Sequence, residues 1–418
     1  MNEQLLQFIW RFQYFNRSRL FTVNEMPVEV MFPGLINTNQ GPDFSNAKIK
    51  IKDTVWAGTV ELHLRTSDWL KHKHAVDNNY KNVILHVVYE NDIADQADLI
   101  PVLELKDRIA VGLLSRYRQL METRQFIPCE NLVTGVPELT IVTWKERLLI
   151  NRLQRKVSVI ENYLLRTSRH WEMSFWWLLA KSFGTKTNAE IFEAVAESIP
   201  LNILVKHKHQ LIQLEALLLG QAGLLNGEFN EAYPKLLQRE YRFLKTKYQL
   251  LPVVFPVHFL RMRPGNFPTI RLAQLAALIF HSVHLFSKIV AEEALSNVRR
   301  WFKVTPNDYW NYHYTLTDAP CLKPKPVGDE MINSVLINTV VPMLFTYGQL
   351  HQAQKIKDRS LKWLEQIKAE SNVIIKGFKK TGFKCLSAWD SQALIELKTQ
   401  YCDHRLCLNC SIGNSILK

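Results

Sequence analysis

Little in this sequence points to export or to a membrane. Its first residues, Met1, Asn2, Glu3 and Gln4, carry no basic patch followed by an apolar stretch, so no secretory signal is expected. The most apolar stretch, Leu272 to Leu285, is broken by His281 and His284 and falls short of the roughly 20 residues that a bilayer requires. Cysteine is scarce, six in 418 residues, and without an export signal these read as reduced thiols or metal ligands, not as a disulfide framework. There is no internal repeat, no low-complexity tract and no arginine-rich tail. Together these absences predict a soluble, cytoplasmic chain with no membrane partner.

What the sequence does contain is ordinary globular material, 47% apolar and 22% charged, which excludes disorder. The length exceeds what one core usually serves, so two domains, or one with a large extension, are expected. A net charge of +13 and a pI near 9.3 favour polyanionic partners, nucleic acid first, although basic residues are scattered and a generally basic surface explains the charge equally well.

The periodicities predict an α+β fold: a small mixed α/β module over residues 1–106, a large, mainly helical region over 107–380 and a cysteine-containing segment over 381–418. Leu5, Phe8, Ile9 and Phe12 recur at helical spacing after Asn2, a candidate cap. A short strand is expected at Val28 to Met31. Strict alternation then marks strands at Asn46 to Lys52 and Val55 to Arg65, with a turn at Asp53 and Thr54. A polar, partly helical segment from Asp68 to Lys81 leads to the apolar run Val83 to Tyr89, suited to a strand buried on both faces, and Leu99 to Leu105 adds another. Beyond Lys106 helices dominate, for example Trp144 to Leu165, Ala189 to Glu197 and Leu201 to Leu219. Proline clusters at Leu251 to Pro268 and Ala319 to Pro326 interrupt them.

Gly41-Pro42-Asp43-Phe44 precedes one strand and Glu61-Leu62-His63 lies within the next, so a hairpin between them sets Asp43 within one or two rungs of Glu61. Opposed side chains there lie about 5 Å apart, close enough for two carboxylates to share a divalent cation. Simple pairing would turn them to opposite faces, and one bulged residue, at Gly58 or between Asp43 and Asn46, brings them together.

Helix, three-stranded meander, helix and strand, with Pro-Asp and then Glu-x-basic on the second and third strands, resembles the core of the PD-(D/E)XK superfamily. That superfamily includes restriction endonucleases and Holliday-junction resolvases. The resemblance implies that Asp43 and Glu61 bind Mg²⁺ or Mn²⁺ and that His63 stands where the family places a lysine that assists the attacking water. The substitution makes His63 a base, a ligand or the mark of a lost activity. A longer string, including Trp56 to His63, Asp68-Trp69, His72 to His74, Arg261 to Arg271 and the cysteine-rich end, resembles a bacterial family catalogued as domain of unknown function 2851. That resemblance implies no activity.

Around the two carboxylates lie His72, His74, Asp77 and His86. His-x-His with a nearby aspartate can ligate a transition metal, although the lysine-flanked setting of His72 and His74 equally suits solvated side chains. His86, in an apolar strand, must find a partner, either within the core or in support of the site. Cys402, Cys407 and Cys410 form C-x4-C-x2-C, and Cys385 is the expected fourth ligand of a structural zinc or an iron–sulfur cluster, with His404 as a substitute. Reduced structural thiols are the alternative, and Cys129 and Cys321 have no sequence partners. Arg261, Arg263 and Arg271 share one proline-stiffened loop and, with Arg65, are expected to meet a nucleic-acid backbone; bracing of helices explains the loop arginines as well. Trp171, Phe175, Trp176 and Trp177 at helical spacing fit a core better than a base-stacking surface.

The leading expectation is therefore a metal-dependent nuclease acting on phosphodiesters through Asp43, Glu61 and His63. The alternatives are a non-catalytic nucleic-acid-binding or scaffold protein of the same fold and a His-ligated metallohydrolase of a small molecule.

Overall fold

The computed structural model describes residues 1–72, 74, 77–93, 100–282, 284–318 and 321–418 and divides the chain into two units, one of residues 1–146 with 396–418 and one of residues 147–395. The first unit carries the sheet and the second is helical, which makes the chain mixed α+β. The expected boundary at residue 106 falls inside the first unit, and that unit also takes in most of the segment expected to stand alone from residue 381.

Helix α1 spans Glu3–Phe12. The Asn2 side chain accepts the Leu5 N–H at 2.9 Å, satisfying one amide of the first turn, and Leu5, Leu6, Phe8, Ile9 and Trp10 are buried. The Trp10 indole N–H donates to the Pro33 carbonyl at 3.0 Å and so ties α1 to the strands that follow.

Those strands are β1 (Leu20–Phe21), β2 (Pro27–Phe32), β3 (Leu35–Ile36), β4 (Phe44–Ile51), β5 (Thr54–Arg65), β6 (Val83–Glu90) and β7 (Val102–Glu104). They form one sheet in the order β1-β2-β4-β5-β6-β7, with β3 beside β4. A two-residue turn at Lys52 and Asp53, Lys52 at φ 54°, joins the antiparallel β4 and β5. The short helix α2 (Asp68–Lys71) lies in the crossover to β6, which runs parallel to β5, and β7 runs parallel to β6. Strand β6 buries Val83, Leu85, His86, Val87 and Val88, as its nearly continuous apolar run requires.

The bulge lies on β4. Phe44 pairs with Val60 but Ala47 pairs with Gly58, so β4 carries one extra residue, and Asn46 takes it up at φ 57°. This is the second of the two expected places. Gly58 serves another need, because a Cβ there would lie 2.5 Å from the Ile84 side chain and 2.6 Å from the Asn82 carbonyl. Within the stretch expected as a strand from Leu99 to Leu105, Val102–Glu104 is strand. Leu99, and Ala319 and Pro320 of the second proline cluster, lie outside the described residues.

In the second unit Phe175 and Trp176 are buried and Trp171 stacks on Phe286 at 5.5 Å, so this aromatic group is core. The run Asp329–Leu350 is long and apolar enough to cross a membrane, but 78% of its most apolar window is buried within the protein, as in a core helix. On the helix Leu211–Gln221, Glu215 is fully buried, its Oε2 accepting from the Tyr233 hydroxyl at 2.6 Å and the Trp310 indole at 2.9 Å. Burial pushes this carboxyl up from 4.5 to about 7. The folded state therefore holds the proton more tightly, and the stability this contributes is complete below pH 4.5 and lost as pH rises through about 7. Glu215→Gln, which keeps an acceptor without the charge, is expected to raise stability at pH 8 by on the order of 1–3 kcal/mol and by much less at pH 5. Thermal melts shifted equally at both pH values would refute this.

Candidate metal centre

Alternation along β5 turns Glu61 and His63 to one face, and the parallel register sets His86 beside Glu61 on β6. The three side chains are buried, at 6%, 2% and 2% exposure. Asp43 lies one residue before the Phe44–Val60 rung and so faces Glu61. The Asp43 N–H donates to Glu61 Oε2 at 3.0 Å, and the Leu62 N–H donates to Asp43 Oδ2 at 3.0 Å. Gln7 on α1 donates to Asp43 Oδ1 at 2.7 Å. The two acidic residues are thus locked into one hydrogen-bonded unit, with Glu61 Oε1 left for other partners.

Burial pushes Asp43 up to about 6, against the opposing pull of the Leu62 N–H. It pushes Glu61 up to about 8, and the Asp43 carboxylate adds to the effect. Glu3, in the first turn of α1, raises both further. Two acidic groups in one hydrogen-bonded, partly desolvated unit make a demand for positive charge or for protons.

The segment after β5 folds back over this face because Trp69 of α2 is buried there, its ring 5.2 Å from His86 and 5.3 Å from His74. Tyr80 stacks on His74 at 3.8 Å. The backbone N–H of His72 donates to the Asp68 carbonyl, which closes α2. As a result one ligand atom from each of His63, His72 and His74 lies within 4.8 Å of the others. His63 Nε2 is 3.1 Å from His72 Nδ1, and His63 Nε2 and His74 Nε2 each lie 3.6 Å from Glu61 Oε1. A separation of 3.6 Å is too long for a hydrogen bond, and His74 Nε2 is buried without a hydrogen-bond partner. The three imidazoles converge as ligands of one ion do, and Glu61 Oε1 lies beside two of them.

The protonation states agree. Burial, and then the neighbouring imidazoles, hold His63 down to about 4, His86 down to about 3 and His74 below its ordinary value. Neutral imidazoles have lone pairs to offer. His86 Nε2 lies 2.9 Å from His63 Nδ1, which fixes the His63 ring and leaves its Nε2 facing Glu61. The residues present, one carboxylate and three imidazoles, fit a divalent transition ion.

Of the residues expected at the site, Asp43, Glu61, His63, His72, His74 and His86 come together. Asp77 instead accepts the Asn79 N–H at 2.9 Å and caps the turn Asn78–Tyr80. Arg65 is exposed at the end of β5, beside the acidic rim of Asp68. Arg261 and Arg263 are exposed in the second unit, while Arg271 is buried, donating to Gln274 and Asn266, so it braces the start of its helix. Burial pulls Arg271 down to about 10. Cys385 is buried in the second unit, whereas Cys402, Cys407 and Cys410 lie in the first. Sequence reasoning missed Glu3, Gln7, Trp69 and Tyr80. Only Trp69, a large apolar residue in a polar segment, carried a signal that the segment was anchored.

No curated protein and no solved structure matches this chain. One family model does, over residues 3–373, so the cysteine-rich end, which the resemblance was expected to include, lies beyond the matched region. With that much of its 418 residues matched, the chain belongs to the family described as protein of unknown function DUF2851.

Proposed function

We propose that the first unit is a metal-dependent hydrolase of nucleic-acid phosphodiesters. The observation that carries this reading is the convergence of the imidazoles of His63, His72 and His74, with the Glu61 carboxylate beside His63 and His74 and next to Asp43. The order α1, β2, β4, β5, α2, β6, with β4 and β5 antiparallel and β5 and β6 parallel, supports a restriction-endonuclease-like core. In that arrangement Asp43 precedes the second core strand and Glu61 lies on the third. The formal charge of +13 favours a polyanionic substrate.

Imidazole donors favour Mn²⁺ or Zn²⁺ over Mg²⁺, which takes oxygen ligands. When bound, such an ion polarises a phosphoryl oxygen and makes a water acidic near neutral pH. The chain's own groups do the rest. The three imidazoles would hold the ion with Glu61 beside them, Asp43 fixes Glu61 through its N–H, and His86 fixes His63. Trp69 and Tyr80 exclude water from one side. The prominence of His72 and His74 also supports a second reading, hydrolysis of a small phosphate ester at the same centre.

The test is incubation of wild type and Glu61→Ala with labelled single- and double-stranded DNA and RNA in the presence of Mn²⁺, Zn²⁺ or Mg²⁺. Metal-dependent cleavage by wild type alone is expected. Equal background from both proteins would remove the catalytic reading and leave a nucleic-acid-binding protein. Hydrolysis of a small phosphate ester without cleavage of polynucleotide would favour the second reading.

A further inference from the structure

Three helices of the second unit turn apolar side chains toward one open cleft of about 500 Å³, within the roughly 300–1,000 Å³ of sites that take small ligands. On the helix Trp171–Phe183 these are Phe175, Trp176 and Leu179, and on the helix Leu201–His207 they are Leu201, Leu204 and Val205. Spacings of three and four keep each set on one helix face. Leu278 and Ile279, in the last turn of the helix Pro268–His281, supply the third wall. In a core such stripes meet and exclude water. Here they leave open space between them: Phe175, Trp176, Leu179, Leu204 and Leu278 are buried within the walls, while Val205 is 43% exposed. Water against walls of this kind is unfavourable, and an apolar occupant would release it.

The charged groups of the cleft are uneven. Lys206, which is exposed, and Lys208, which is half-buried, both line it, and neither forms an ion pair among the described residues. Its one acidic lining residue, Glu172, is already engaged. Glu172 Oε1 accepts from the Ser287 N–H and hydroxyl at 2.8 Å, and Oε2 accepts the Phe286 N–H at 3.2 Å, which caps the helix Leu285–Ala291. An apolar bed with two ammonium groups beside it complements a hydrocarbon tail with a negative head.

We infer that this cleft binds a single-chain lipid with an anionic head, a fatty acid or an alkyl phosphate, with the tail along the apolar walls and the head against Lys206 and Lys208.

The test titrates the purified full chain, by isothermal calorimetry and below micelle-forming concentrations, with octanoate, decanoate, laurate, decyl phosphate and neutral decanol. Saturable one-to-one binding of the acids is expected, tightening by up to about fourfold per methylene until the chain fills the cleft. Decanol should bind several-fold more weakly than decanoate. The tighter of decanoate and decyl phosphate identifies the head, and either supports the site. Val205→Trp fills the cleft from a side chain already 43% exposed, so the fold should tolerate it. It should weaken every ligand by about tenfold or more, the worth of roughly two methylenes. Lys206→Glu combined with Lys208→Glu, both outside the core, should abolish the preference for acid over alcohol and leave the melting temperature unchanged.

Absence of saturable binding, an affinity indifferent to chain length, or wild-type affinity in Val205→Trp would overturn the proposal. Equal affinity of wild type for decanol and decanoate would overturn the anionic head. A wild-type dimer that takes up no lipid and that Val205→Trp disperses would replace the lipid with a second copy of the chain. None of these outcomes depends on hydrolysis by the first unit.

Discussion

Glu61→Gln should weaken Mn²⁺ or Zn²⁺ binding by more than about 100-fold, because it removes a direct ligand. His86→Ala, which removes only the group that orients His63, should fall in the roughly 10–100-fold range of outer partners. Isothermal titration calorimetry on both variants reads the difference, and wild-type affinity in Glu61→Gln would sink the assignment of the ion to Glu61. The same carboxyl sets a pH signature. With Glu61 raised to about 8, binding must displace its proton over most of the neutral range, so affinity should climb with pH up to about 8 and then level. His63, held down to about 4, is already neutral and contributes little to this slope.

Stability should show the opposite trend without metal. Asp43 and Glu61 both bind protons more tightly when folded, so what they contribute is complete below about pH 4, their ordinary range, and is lost as pH rises through about 6 and then about 8. Melting of the metal-free protein should therefore fall across that window. Saturating Mn²⁺ should remove the fall, because the ion takes the place of the protons.

The second large effect is expected at Phe44. Its side chain is fully buried and pairs across the ladder with the fully buried Val60. Phe44→Ala should destabilise the first unit by about 3–5 kcal/mol through lost burial and the cavity left behind. Phe44 also sits between Asp43 and the bulge at Asn46, so a slack strand there loosens the bond from the Asp43 N–H to Glu61. Chemical denaturation of the variant, beside Phe243→Ala at a side chain 55% exposed, gives the comparison. Equal, small losses in both would show that the strand pair does not depend on this ring.

The strands carrying the site were legible from period-2 alternation: Ala47, Ile49 and Ile51 are buried between lysines, while on β5 Val60 and Leu62 are buried as expected and Glu61 and His63 on the other face are buried as well. Parity alone also called for a bulge near Asp43. The crossover was less legible. His72 and His74 look solvated in sequence because lysines flank them, and only the burial of Trp69 and the stacking of Tyr80 draw them over β5. Those are tertiary effects without local periodicity. The strands β1 and β3, two residues each, are too short to leave a pattern.

The division of the chain also has a consequence for how the protein is made. The sheet of the first unit is translated early, yet residues 396–418 that complete this unit leave the ribosome only after the whole of 147–395. At about 5–20 residues per second that is a delay of roughly ten seconds to a minute. During it the docking sites on Tyr14, Arg116 and Thr123, which receive Asn414, Leu417 and Arg405, stand open. A nascent chain in this state is a natural client for a holding chaperone, and a premature stop near the end would strike the part of the protein that was built first.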